Sequence, residues 1–404
     1  MYDVYEIRKD FTNLNEKING KPNTFLDTAA SAQKPISVLE AMCTASTRYY
    51  ANVHRGVYYL SEKITIEYEK ARKKVQEFIN AAGDNEIIFT RSATESINLV
   101  AATWGCENLK PGDEILISEA EHHANLVPWQ MLKNKKGCTL RVFKINADGS
   151  YNHEEFKSCL SSRTKLVAVT AMSNVLGTIF PIKKIISEAH KIGAKCLVDA
   201  GQSAARMAID VQDLDCDFLV FSGHKTYGPT GIGVLYGKYD ILDSMPPYQT
   251  GGDMVDKVTY DTTTFAPPPA RFEAGTPAIV QAIGLAAAID YMQNLGMDNI
   301  FKHEQELTKY TIQKLKKIEG LEVIGNAKDK GGVFSFALDN IHPQDLAFIL
   351  DKEGVAVRTG HHCAEPLVNR MGYKSLARAS LGLYSTTEDI DNFLKALQKV
   401  KNFF

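Results

Sequence analysis

From about residue 85 to residue 240, short β-branched and apolar runs alternate with longer stretches that carry helical patterning and caps. Parallel strands need a crossover of a dozen or more residues, usually a helix, so this alternation points to an α/β layer fold with a mostly parallel sheet. The runs predict strands at 86–90, 114–118, 139–143, 166–170, 195–199, 218–222 and 233–236. Helices are expected at 94–103, 124–135 and 181–192, the last opened by Pro181 and closed before Gly193. Between 245 and 277 the pattern gives way to Pro, Gly, Thr and Asp, including Pro267-Pro268-Pro269, a stretch too long and irregular for an ordinary connector. Beyond it come helical stretches near 278–294, 298–318 and 343–353, a strand pair near 332–338 and 355–357, and an amphipathic tail from Thr387 to Lys401. The expected division is a large sheet domain at 21–277 and a smaller α+β lobe built from 278–404 plus 1–20.

Composition removes several classes of function. With 46 Lys and Arg against 48 Asp and Glu, the chain has no basic surplus to neutralise a run of phosphates, so nucleic acid is not an expected partner. The longest apolar stretches, such as 166–171, fall far short of the roughly 20 residues that span a bilayer, so no membrane is expected either. The first ten residues include acidic groups and no apolar signal core, which makes a cytoplasmic address the default. Seven cysteines, at 43, 106, 138, 159, 196, 216 and 363, are scattered without a Cys-x-x-Cys pair, which argues against a disulfide framework or a zinc ribbon. No metal is expected. No Gly-x-Gly-x-x-Gly follows an early strand, which sets aside a dinucleotide fold.

In open α/β sheets the reactive groups collect where strands end. Two ends stand out: 195–198 runs into Asp199-Ala200-Gly201-Gln202-Ser203, and 218–221 runs into Ser222-Gly223-His224-Lys225. Taken singly, Asp199 reads as a helix N-cap and Lys225 as a solvated charge. Together, 26 residues apart, they are what pyridoxal phosphate needs: an amine for a Schiff base and a carboxylate to keep the pyridine nitrogen protonated.

With these residues in view, the sequence resembles the class V aminotransferase-like enzymes of pyridoxal phosphate, and within them the SufS-type (group II) cysteine desulfurases. The blocks that carry the resemblance are Leu26-Asp27-Thr28-Ala29-Ala30, Ala51 to Gly56, Glu121-His122-His123-Ala124-Asn125, Ser222 to Lys225, Arg271 to Pro277, and Arg358-Thr359-Gly360-His361-His362-Cys363. The resemblance implies the pyridoxal-phosphate-dependent transferase fold type I and a homodimer. It assigns Lys225 to the cofactor and to proton transfer at the substrate α-carbon, Asp199 to the ring nitrogen, Gln202 to the phenolic oxygen and His122 to the ring face. The phosphate falls to Ala93, Thr94, Ser222 and His224, joined by Thr276 of the other subunit. A helix start with hydroxyls suits an anion, although Thr94 could equally be an N-cap. Asn174, Arg358, Arg378 and His54 are assigned to the substrate, since a guanidinium fork grips a carboxylate at two points.

Cys363 is the decisive residue by the same resemblance. Attack on the sulfur of L-cysteine would leave a persulfide on Cys363 and free L-alanine, with His361 and His362 close by to favour the thiolate. The other six cysteines read as buried fillers. The loop that carries Cys363 is short, with Pro366 three residues on, and resembles the branch that passes sulfur to a small protein of SufE or SufU type for iron-sulfur cluster assembly. Selenocysteine lyase activity at the same site is the nearest alternative, and a plain aminotransferase or an inactive scaffold are others.

Overall fold

The structure, a computed structural model, describes residues 2–339 and 341–403; residues 1, 340 and 404, which the sequence reading assigns to the smaller lobe, lie outside the described residues. Its main sheet has seven strands: β1 (Ile87–Thr90), β2 (Glu114–Ser118), β3 (Thr139–Phe143), β4 (Thr164–Thr170), β5 (Lys195–Asp199), β6 (Phe218–Ser222) and β7 (Gly233–Gly237). Their order across the sheet is β1-β7-β6-β5-β4-β2-β3. Strand β7 runs antiparallel to both neighbours and the other pairs are parallel, the mostly parallel α/β arrangement expected. Strands β1, β2, β6 and β7 are buried along their whole length, so both faces are covered. Helix Ile182–His190 shows how a crossover is written: Ile182, Ile185, Ile186 and Ala189 form one buried stripe, and Gly193 beyond it turns left-handed at φ +78°.

Helix Ile279–Leu295 falls in the stretch that the expected division gives to the smaller lobe. It packs on helices Ile36–Arg48 and Tyr59–Phe78, and its buried side chains join the apolar cluster of the main sheet. Gly284 permits the close approach, since a Cβ there would meet Met42 Sδ at 2.8 Å. A helix that follows the 245–277 segment in sequence thus shares its core with the large domain.

The smaller lobe is an antiparallel sheet of β8 (Leu321–Ile324), β9 (Val333–Leu338), β10 (Arg358–Gly360) and β11 (Leu376–Ser380), in the order β8-β9-β11-β10. Helices Pro343–Lys352 and Thr387–Phe403 pack against one another beside it. The expected pairing of 332–338 with 355–357 does not occur. Val355–Ala356 pairs in parallel with Thr24–Phe25, and β9 lies between β8 and β11, because Leu26 and the N-terminal segment fill the apolar cluster that 355 helps to close. The 245–277 segment is less irregular than its composition suggests: Val255–Val258 and Thr263–Phe265 form an exposed hairpin. The segment is anchored by Glu273, which accepts both Nη atoms of the buried Arg72 at 2.7 and 2.8 Å and the Phe89 N–H at 2.7 Å. Among the described residues, no helix is long and apolar enough to cross a membrane.

Candidate active site

Beyond the C-terminal ends of β5 and β6 lies a cavity of about 240 Å³ that also receives residues from the N-terminal segment and the smaller lobe. Asp199, the last residue of β5, is 7% exposed. Its Oδ1 accepts the Gly201 N–H at 2.8 Å, and its other oxygen has no partner among the described residues. Burial raises its pKa, and the nearby Lys225 opposes that shift. Lys225 follows β6 in a short 3-10 turn, Gly223–Lys225, and its amine makes no hydrogen bond among the described residues. Desolvation lowers its pKa foremost; Arg378 and Arg358 lower it further, while Asp199 and Cys363 pull it up. A Cβ on Gly201 would stand 2.9 Å from Asp199 Oδ1 and 3.9 Å from Lys225 Nζ, so the absence of a side chain at 201 keeps open the space these two groups face. His122 borders the same space. Its Nδ1 accepts the Ala124 N–H at 3.0 Å, which puts the ring proton on Nε2, and burial, reinforced by Lys225, drives its pKa down to about 3.

The helix Ala93–Val100 starts immediately after β1 and presents its N-terminus to the cavity. Ser92 caps it by accepting the Glu95 N–H, which leaves the Thr94 hydroxyl free of the capping role. The Ala93 N–H is already spent on Ser222 Oγ at 2.8 Å, so the hydroxyl proton of Ser222, rather than the Ala93 amide, is available to an anion. Gly233 on β7 lets this corner close, since a Cβ there would lie 2.5 Å from Ser92 Cα. His224 also borders the cavity, and burial, then Lys225 and Lys34, brings its pKa down to about 4. Gln202 donates from Nε2 to the Ala29 carbonyl at 2.8 Å and so is held in the wall.

The smaller lobe supplies the cationic wall. Arg358 on β10 and Arg378 on β11 are directly opposite in register, and opposed residues project to the same face of a sheet. Arg378 is 1% exposed; it donates to the Asn174 carbonyl at 2.9 Å and to Asp27 Oδ1 at 3.2 Å, and its Nε has no partner among the described residues. Burial lowers its pKa to about 10, which leaves it charged at neutral pH. Two guanidinium groups thus face one carboxylate, an imbalance that a bound carboxylate would settle. Asn174 donates from its side chain to the His362 carbonyl at 2.6 Å. Cys363, half-buried, lies on the cavity wall with Arg358 Nη2 at 4.0 Å from its sulfur.

The fold therefore gathers Ala93, Thr94, His122, Asn174, Asp199, Gln202, Ser222, His224, Lys225, Arg358, Cys363 and Arg378 around one space. Two expected residues are absent from it. His54 is exposed, its Nε2 bound to Glu69 at 2.8 Å and its backbone N–H to Thr65, so within one chain it does not reach the cavity. Thr276 is exposed on a separate cleft beside Arg91 and Glu95. The sequence reading missed Asp27 as the partner of Arg378, although it stands in one of the blocks quoted for the resemblance. It also missed Glu121, a buried carboxyl held by Ser118, Asn125 and the Thr170 N–H and raised by desolvation to about 8. Among the described residues one group, His190, Cys196 and Asp217, brings metal-ligand atoms together, but it sits at the opposite end of β5 from Asp199 and its carboxylate is taken up by His190 and Lys195.

A mostly parallel sheet with a half-buried lysine and a buried aspartate at adjoining strand ends, a helix N-terminus beside them and arginines opposite defines a pyridoxal phosphate enzyme of fold type I. The family model "Aminotransferase class-V" matches residues 24–393. The chain is 48% identical over 402 residues to a "Probable cysteine desulfurase" of Halalkalibacterium halodurans, covering 100% of this chain and 99% of the relative. It is 50% identical over 404 residues to one of Staphylococcus epidermidis, covering 100% and 98%. The solved apo structure of the cysteine desulfurase from Thermococcus onnurineus superimposes with a TM-score of 0.95 at 39% identity, covering 100% of this chain and 99% of that one. The cysteine desulfurase CsdA from Escherichia coli, in an S-sulfonic acid form, does so at 0.93 and 36%, with both chains fully covered. The chain belongs to the class-V aminotransferase family, and within it to the cysteine desulfurases. The residues present fit the family's cofactor: an amine and a carboxylate oxygen without partners among the described residues, with a glycine between them, leave a place for a ring, and an anion site lies at the helix start.

Proposed function

We propose that this pyridoxal-phosphate-dependent desulfurase takes sulfur from L-cysteine onto Cys363 as a persulfide, releases L-alanine, and passes the sulfur to a small acceptor protein of SufE or SufU type for iron-sulfur cluster assembly. One observation supports the nucleophile above all: Cys363 borders the same cavity as Lys225, Asp199 and the two arginines. Bound pyridoxal phosphate supplies the electron sink that acidifies the substrate α-carbon. Arg378 and Asn174 orient the substrate carboxylate. Lys225, its pKa lowered by desolvation, takes the α-proton. Asp199 would hold the cofactor's ring nitrogen protonated, Gln202 would serve its phenolic oxygen, and neutral His122 would serve its ring. The Cys363 thiolate attacks the substrate sulfur, an S–S bond forms and the Cβ–S bond breaks. The thiol proton and the α-proton end on alanine, so cysteine and enzyme thiol become alanine and persulfide with no outside oxidant.

The working form is a cytoplasmic homodimer in this reading. Exposed Val57, Tyr58 and Tyr59 next to His54, together with Tyr260 at the tip of the hairpin, are the apolar surface that a second copy would cover. His54 and Thr276, outside the cavity of their own chain, would then complete the partner's. The test is mass spectrometry of the Cys363 peptide after L-cysteine is added. A gain of one sulfur atom is expected, and C363A should lose alanine formation from L-cysteine while keeping turnover of L-selenocysteine, whose selenium leaves more readily. Unchanged mass, or a C363A enzyme as active on L-cysteine as the original, would refute the assignment. Stimulation by SufE- or SufU-type acceptors tests the partner, and sedimentation tests the dimer.

A further inference from the structure

Cys363 follows His362, and both have left-handed backbone, φ +57° and +53°, just before the helix Glu365–Arg370. Consecutive left-handed residues other than glycine persist only where their surroundings hold them. One residue of the large domain holds both sides of this turn. The backbone N–H of His123 donates to the Cys363 carbonyl at 2.6 Å, and Nε2 of the His123 ring accepts the Glu365 N–H at 3.1 Å. Glu365 opens its helix, where the first N–H groups have no partner within the helix, and Ala364 before it offers no side-chain cap. The imidazole does the work of an N-cap from 242 positions earlier in the chain. As an acceptor at Nε2, it carries its proton on Nδ1.

We propose that His123 is a positioning residue for sulfur transfer. By clamping the carbonyl of Cys363 and the amide of Glu365, it joins the large domain to the smaller lobe at the nucleophile and keeps the thiol turned to the cavity, beside Arg358. This rests on Cys363 being the sulfur acceptor, but the clamp itself can be measured without turnover. Two variants of the holoenzyme separate the acceptor atom from the ring's bulk: H123F keeps a ring without an acceptor, and H123Q returns an amide oxygen at comparable reach. In H123F, kcat for alanine formation from L-cysteine should fall about tenfold or more with KM within about twofold, up to the roughly 100-fold that an ångström of misplacement can cost. Alkylation of Cys363 by iodoacetamide, followed on its peptide by mass spectrometry, should quicken several-fold as the thiol swings outward. H123Q should restore both to within about threefold. If H123Q is as impaired as H123F, or if neither variant shifts kcat or alkylation by more than about threefold, the clamp is not what positions Cys363. A fully active C363A would instead overturn the underlying reading and would leave the alkylation comparison standing.

Discussion

The arginine pair gives a quantitative expectation for substrate recognition, and Arg378→Lys is the change that isolates it. The guanidinium spends one Nη on the Asn174 carbonyl and the other on Asp27, and its Nε is unspent among the described residues. Lysine keeps the charge but has three N–H groups on one atom, and Asp27 and the Asn174 carbonyl would occupy two of them. At least one charge-assisted hydrogen bond to the substrate carboxylate is therefore lost. Such a bond contributes about 1.5–3 kcal/mol, and at about 1.4 kcal/mol per decade the loss in kcat/KM for L-cysteine should be about 10- to 150-fold. Steady-state alanine formation measures it, with the visible absorbance of the bound cofactor as the control for an intact site. A kcat/KM within about threefold of the parent would refute the argument. So would an equal loss of cofactor binding, since the effect would then lie in folding of the smaller lobe rather than in recognition.

Two further outcomes follow from burial and close approach. His362 is 3% exposed and its pKa is held down to about 3, chiefly by desolvation and then by Arg378 and Arg358, against about 6.5 for a free histidine. Between those values the unfolded chain binds a proton that the folded chain refuses, so stability falls as pH drops below about 6.5, by about 2 kcal/mol at pH 5. Urea unfolding of the apo protein at pH 7 and pH 5 should show that much less pH dependence in H362F than in the parent; equal dependence would show that His362 is not the source. Gly201→Ala puts a Cβ 2.9 Å from Asp199 Oδ1, and overpacking of about 1–3 kcal/mol should weaken pyridoxal phosphate binding about 5- to 150-fold in an absorbance titration, whereas unchanged affinity would mean that the space beside Asp199 is not the cofactor's.

What the sequence revealed and what it withheld divide along range of interaction. Strands β2, β3, β5 and β6 fall where the apolar runs predicted them, because a strand of a mostly parallel sheet needs mainly local information: a few large apolar side chains and a capped helix after it. Asp199 and Lys225 were legible for the same reason, since each follows the end of such a run. The smaller lobe was harder to read. Strand β11 carries a buried arginine at its centre, and no local pattern marks Leu376–Ser380 as a strand; its burial makes sense only with Asp27, 351 positions away, against it. The pairing of Val355–Ala356 with Thr24–Phe25 has the same character.

His54 and Thr276 mark a second limit, because residue type and motif indicate which chemistry a side chain can do but not which cavity it reaches. His54 has a ready partner in Glu69, 15 positions on, and its left-handed backbone at φ +71° fixes it there, so within one chain nothing draws it toward Lys225. The turn that carries Cys363 depends on contacts of this long-range kind: Asn174 through the His362 carbonyl, and His123 through the amide of Glu365. Each of these reaches the turn through a backbone group, which no residue spacing records. The candidate nucleophile was therefore visible in the sequence, whereas the contacts that hold its turn became visible only once the two lobes were seen against each other.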